Sequence, residues 1–124
     1  MVHLVDSSVL IAFFATADES HIRAVTLLTN LSGIALIPYC VVSETATVLT
    51  YKHSRKQAET FLHSIINSPH VRILQDDTLA EVRQFMHMRS KISFTDAALL
   101  LLAKEHNATL HTFDKQLARL ARKG

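Results

Sequence analysis

Short apolar runs alternate with longer stretches of helical period along the chain. Residues 2–5 (VHLV) alternate briefly and stop at Asp6, the pattern of a short strand, and residues 7–15 are apolar enough to begin a helix. Over 19–31 the apolar positions Ile22, Val25, Leu28 and Leu31 recur at helical spacing, with Gly33 just beyond as the expected C-cap. Residues 34–37 are continuously apolar before Pro38, as in a strand buried on both faces. Helical spacing returns over 39–53 through Val42, Ala46 and Leu49, and again over 54–66, where Ser54 is the expected N-cap. A third strand is predicted at 71–74. The helix predicted over 77–88 turns Leu79, Val82, Phe85 and Met86 inward. Residues 94–106 form the most apolar helix, hydrophobic on several sides and therefore central. A strand at 109–112 and a helix over 115–122 close the pattern, and the final ARKG is expected to fray.

This alternation predicts an α/β fold: a central parallel sheet of four to five short strands with helices on both faces. No repeat, linker or low-complexity segment interrupts residues 1–124, which read as one domain long enough to bury a core. Thirteen basic against eleven acidic residues leave a formal charge of +2. That balance permits nucleic acid as a partner without arguing for it, because an electrostatic binder is usually more basic and more clustered. Cys40 is the only cysteine, so an internal disulfide is excluded, and it reads as a small buried hydrophobe in a reducing compartment. The apolar run 97–103 is too short to span a bilayer. VLIAFFATA is apolar like the core of a secretion signal, yet no Lys or Arg precedes it and Asp6 stands where positive charge belongs. The expectation is a cytoplasmic protein that does not engage membrane.

Candidate chemistry lies in four acids, each at the start of a predicted helix or one turn into it. They are Asp6 in HLVDSSVLIAFF, Glu44 in VVSETATVL, Asp96 in SFTDAALLLLAKEHN and Asp114 in LHTFDKQL. Each has a purely structural alternative. Asp6 and Asp114 suit N-caps, SFTD matches a short capping box, and Glu44 could be an early acid favoured by the helix dipole. Considered jointly they mean more, because an open parallel sheet binds ligands outside the carboxyl ends of its strands. Like charges gathered there need a counter-ion, which suggests a carboxylate pocket for a divalent cation, the kind of centre that hydrolyses phosphodiester bonds. Asp18, Glu19, Glu59, Asp76, Asp77, Glu81 and Glu105 read instead as solvated helix faces. None of the eight histidines forms an HExxH pattern, although His3 and His111 could pack together if their strands are neighbours.

At these residues the chain resembles PIN-domain ribonucleases, and most of all the VapC toxins of bacterial type II toxin–antitoxin pairs. The likeness covers nearly the whole length. LVDSSVLIAFF is similar to that family's opening strand, acid, hydroxyl residues and apolar helix; VVSETATVL is similar to its glutamate helix; SFTDAALLLLAKEHNATLHTFDKQLARL is similar to its C-terminal half. The resemblance implies a PIN-like fold and a Mg²⁺- or Mn²⁺-dependent endoribonuclease with one or two ions per active site. It implies that Asp6, Glu44, Asp96 and Asp114 are the catalytic and metal-binding residues, with Thr112 as the hydroxyl residue beside them. The products expected are a 5′-phosphate and a 3′-hydroxyl. Hard cations take oxygen ligands and keep several waters, so Asp6, Asp96 and Asp114 are expected nearest the ion and Glu44 on the same or a second ion, through water. The implied partners are RNA, a homodimer mate and a cognate antitoxin that wraps the toxin with an apolar helix; Phe13, Phe14 and Leu27 on the early helices are candidates for its groove and equally for the core. Lys52, Arg55, Lys56, Arg89, Lys91 and Lys115 are candidates for RNA phosphates, or ordinary solubilising charge.

Other readings make different demands. A phosphoacceptor receiver domain would place paired acids after the first strand and a Lys at the end of a later one, whereas serines follow Asp6 and Asp114 follows the last strand. A non-catalytic binding module has no use for all four acids. A PIN nuclease acting in RNA processing, outside toxin–antitoxin pairs, shares every motif and differs in its partner.

Overall fold

A computed structural model describes residues 1–75 and 77–123. Four strands, β1 (Val2–Val5), β2 (Ile34–Pro38), β3 (Val71–Leu74) and β4 (Thr109–His111), pair entirely in parallel in the order β3–β2–β1–β4. Around them lie α1 (Ser7–Phe14), α2 (His21–Thr29), α3 (Tyr39–Lys52), α4 (Arg55–Asn67), α5 (Thr78–His87), α6 (Phe94–Glu105) and α7 (Lys115–Lys123). The fold is α/β and PIN-like, with four strands of the four to five expected. Successive residues of a strand face opposite sides, and His3, Leu4 and Val5 are all buried, so both faces of the sheet are covered at β1.

The chain runs outward from β1 to β2 and β3, then returns to add β4 on the other side of β1. The β1–β4 boundary is therefore a topological switch point, where the connections leave in opposite directions and open a crevice at the carboxyl ends of the strands. Asp6 follows β1 directly and Thr112 follows β4 directly. The sheet order alone thus brings the two halves of the candidate motif to one edge.

The core gathers Leu4 and Val5 from β1, Val9 and Leu10 from α1, Leu49 from α3, Phe61 from α4, Leu99 and Leu102 from α6, and Leu117 from α7. Phe14 meets the fully buried Phe61 edge to face at 5.4 Å. Each such side chain contributes about 1.5–3 kcal/mol by leaving water. This packing, more than local propensity, holds the eight-residue α1 in place with Asp6 at its head.

Several expectations need correction. The C-cap of α2 is Asn30, and Gly33 instead opens β2 with φ +99°. A Cβ there would lie 2.2 Å from the Met1 carbonyl oxygen, which accepts from Ile34 N at 3.0 Å. Glycine is required by this close approach and by the left-handed backbone. In α5, Leu79, Phe85 and Met86 face outward, Met86 being 77% exposed, while Val82 is half-buried. Glu81, expected on a solvated face, is buried at 2% exposure, so that helix presents the opposite face to the one its apolar period suggested. Phe85 packs on exposed Phe94 of α6 at 5.7 Å, which gives the outward rings a partner. β4 ends at His111, one residue short of the predicted strand. The expectation for Asp76 and the fraying expected at Gly124 fall outside the described residues.

Candidate active site

Asp6 terminates β1 and caps α1, accepting from Ser7 N at 2.7 Å through Oδ1. Its other oxygen, Oδ2, accepts from Thr112 Oγ1 at 2.7 Å and from Ser8 Oγ at 2.9 Å. Asp6 N donates to His111 O at 2.9 Å, which pins the start of α1 to the end of β4. Asp6 is only 4% exposed, and both of its carboxylate oxygens accept hydrogen bonds. Capping and site formation here are one arrangement: the cap uses one oxygen and leaves the other at the crevice.

The remaining acids reach the same crevice from three other elements. Glu44, exposed on the second turn of α3, accepts from Ser7 Oγ, which also lies 3.4 Å from Asp6 Oδ1. Asp114 caps α7 by accepting from Leu117 N at 2.9 Å, and its own N–H donates to Thr112 Oγ1 at 3.0 Å. Thr112 therefore donates to Asp6 and accepts from Asp114, fixing the two relative to each other. Asp96, half-buried in the first turn of α6, has its backbone N–H bound by the Ser93 cap at 3.0 Å. The structure brings all four predicted acids and Thr112 together.

Electrostatics express that convergence. Burial, then Asp6 and Asp114, push the Asp96 carboxyl up to about 6 from the ordinary 3.8; its bond to Ser93 opposes the rise and Glu44 adds to it. Repulsion of this kind is what a cation relieves. Among the described residues, however, no three His, Cys, Asp or Glu side chains close on a common point tightly enough to enclose an ion. The two observations measure different things. Charge coupling reaches further than ligand bonds, and Mg²⁺-type ions bind through one or two carboxylates while keeping several waters. An all-oxygen donor set that is mutually repelling and open to solvent fits such an ion.

Sequence reasoning gave no role to Ser7 and Ser8. Ser7 links Asp6 to Glu44, and Ser8 Oγ accepts from Phe113 N at 3.0 Å while donating to Asp6, joining the β1–α1 and β4–α7 turns. The signal available was two hydroxyl residues directly after the acid. Arg23 of α2 was also missed; its guanidinium lies 4.3 Å from the ring centroid of Phe113, next to Asp114. Of the basic candidates, Arg55 is paired with Glu59 at 3.6 Å, and Lys52 stands about 12 Å along α3 from Glu44.

His3 and His111 do meet, Nδ1 to Nε2 at 2.9 Å, and His3 Nε2 lies 2.8 Å from Ser32 O. A carbonyl only accepts, so His3 Nε2 carries a proton and donates to Ser32 O. Burial, then His3, lower the His111 pKa. On the sheet face beside His3, an apolar groove of about 520 Å³ is lined by Leu10, Phe13, Phe14, Leu28, Ile65 and Val71, among others. Leu27 packs against the core and does not line it. Cys40 is half-buried against the same core. Among the described residues no helix is long and apolar enough to cross a membrane.

An acid cluster at the switch point of a four-stranded parallel sheet, held by hydroxyl groups from the first and last turns, defines a particular class of α/β protein. The chain belongs to the PIN domain family, whose model matches residues 3–123. Its fold is similar to that of Mycobacterium tuberculosis VapC20, a sarcin–ricin loop cleaving toxin, with TM-score 0.86 and 20% identity over 97% of this chain and 95% of that one. It is also similar to Rickettsia felis VapBC2, solved bound to a DNA fragment from its promoter (TM-score 0.69, 16% identity, 96% and 92% covered). A third similar structure is FitAcB of Neisseria gonorrhoeae (TM-score 0.67, 17% identity, 98% and 94% covered). No protein of curated function matches the sequence significantly.

Proposed function

We propose that this chain is a metal-dependent endoribonuclease and the toxin half of a VapBC-type toxin–antitoxin pair, acting in the cytoplasm as one nuclease domain over residues 1–124. The observation that carries the reading is the convergence of Asp6, Glu44, Asp96 and Asp114 on the crevice of a PIN domain. Asp6, Asp96 and Asp114 would hold Mg²⁺ or Mn²⁺ most directly, and Glu44 would bind the same or a second ion through water. When bound, the ion supplies a water of lowered pKa and neutralises charge on the scissile phosphate and the leaving oxygen.

The protein's own residues perform the positioning. Thr112 and Ser8 hold Asp6 Oδ2 by donating to it, which keeps the carboxylate aimed. Ser7 holds the exposed Glu44 against Asp6. Asp96, whose charge is disfavoured without a counter-ion, is the residue that gains most from one. None of the eight histidines is required as general base.

The groove along Leu10, Phe13, Phe14 and Ile65 suits the apolar face of an antitoxin helix. The outward Leu79, Phe85, Met86 and Phe94 support a homodimer, since an exposed apolar face of this kind marks an interface. The test is incubation of the chain, freed of any partner, with total cellular RNA and Mg²⁺ or Mn²⁺. Discrete cuts are expected that disappear with EDTA and in Asp6→Asn. Cutting by Asp6→Asn at the normal rate would reduce Asp6 to a helix cap and overturn the assignment.

A further inference from the structure

We infer that Arg23, held over the ring of Phe113, is a substrate-positioning residue that grips a backbone phosphate of the RNA flanking the one being cut. The inference rests on the ribonuclease reading and adds to it a positioning residue drawn from outside the acid cluster. Arg23 lies on α2, an element that contributes none of the four acids. That helix is seated firmly: Ala24 is fully buried, and His21 Nδ1 donates to Ala12 O of α1 at 2.9 Å. Phe113 is tied to the acids through its backbone, its N–H donating to Ser8 Oγ, which in turn donates to Asp6. The Arg23 guanidinium, 4.3 Å from the Phe113 ring centroid, is therefore fixed relative to the carboxylates through two anchored elements.

The manner of holding matters. A guanidinium over the residue next to Asp114 would be expected to pair with a carboxylate, yet no ion pair of Arg23 forms among the described residues. Arg23 lies instead against an aromatic face, which attracts the cation through its flat side and leaves the donor edge unspent. Arg23 is exposed, so that edge is open to an incoming ligand. Planar donors in a fixed fork match a phosphate in two-pronged geometry. An acid cluster repels RNA, and a pre-placed cation that the cluster does not neutralise offsets that repulsion where the backbone must enter.

The experiment compares wild type with Arg23→Gln, Arg23→Lys and Phe113→Leu on the RNA fragment that the wild-type chain cuts from total cellular RNA. KM and kcat are measured across a series of salt concentrations, with thermal unfolding as a check on the fold. For Arg23→Gln, KM is expected to rise about tenfold with little change in kcat. The slope of log KM against log salt should fall by about 0.7, the value for one single-strand phosphate contact. Arg23→Lys should keep the slope and recover only part of KM, because an ammonium lacks the planar fork. Phe113→Leu should raise KM in the same direction by freeing the guanidinium. Wild-type KM and slope in Arg23→Gln would overturn the inference and leave the stack as a fastening of α2. If that variant instead cuts normally but is inhibited less by an antitoxin helix peptide, the ligand is an acidic peptide and the inference likewise fails. Should wild type cut no RNA, the ribonuclease reading itself falls, and the inference with it. Arg23→Lys keeps the question decidable if Arg23→Gln fails to fold.

Discussion

Replacing Asp96 with asparagine removes a charge that burial and three neighbouring carboxylates all oppose. Held near 6 rather than 3.8, the ionised acid is disfavoured in the fold by about 3 kcal/mol before screening. Asp96 is only partly buried, so water and salt reduce this to about 1–2 kcal/mol. The folded value lies above the unfolded one. The penalty is therefore fully present at pH values above about 6 and vanishes as the pH falls below 3.8. Asparagine keeps an oxygen for Ser93 and loses only the charge. Thermal unfolding in EDTA at pH 7.5 should place Asp96→Asn about 3–8 °C above wild type, with the gain disappearing near pH 4. His111 acts in the opposite sense: its lowered pKa makes acidification below about 6.5 destabilising. That effect is common to both proteins and cancels in their difference. An unchanged or lower midpoint for Asp96→Asn at pH 7.5 would refute the reasoning, since the four acids would then not be repelling one another.

Three further outcomes follow from the same geometry. Millimolar Mg²⁺ should raise the wild-type melting midpoint by binding only the folded chain, and should raise that of Asp96→Asn distinctly less; equal shifts would place the ion elsewhere. Thr112→Val removes the donor to Asp6 and the acceptor for Asp114 N, so RNA cleavage should fall about 10–100-fold with the fold retained by circular dichroism. Cleavage within twofold of wild type would show that Asp6 keeps its aim without that hydroxyl. Thr45 is fully buried in α3 and its hydroxyl has no hydrogen-bond partner among the described residues, so Thr45→Val, equal in shape, should stabilise the protein by about 1 kcal/mol in urea unfolding. A loss of stability would mean that the hydroxyl is satisfied after all.

The fold was largely legible because its signals are local. The apolar run before Pro38 has the pattern of a buried strand and forms β2, and Ser54 does accept from Gln57 N as an N-cap should. Helix α5 shows the limit. A helical period says which residues share a face and is silent on which face is buried; Glu81 went in while Leu79 and Met86 went out. Gly33 misled for a related reason, since a C-cap and a close approach to Met1 O both call for glycine. At the candidate site the acids announced themselves at helix starts. Their supports did not, because each acts across a long stretch of chain. Ser7 reaches Glu44 across 37 positions, Ser8 meets Phe113 across 105, and Arg23 finds its aromatic partner only once the sheet has set β4 beside β1.

In the mechanism proposed for this chain, carboxylates and a cation, with no protein base, activate water against the RNA phosphate. The chemistry of the cut ends tests this most directly. RNA digested with Mn²⁺ should carry 5′-phosphate and 3′-hydroxyl termini, revealed by direct ligation of an adaptor to each end. Termini of 2′,3′-cyclic phosphate and 5′-hydroxyl, formed equally well in EDTA, would contradict it, because the 2′-hydroxyl and not a water would then have made the attack.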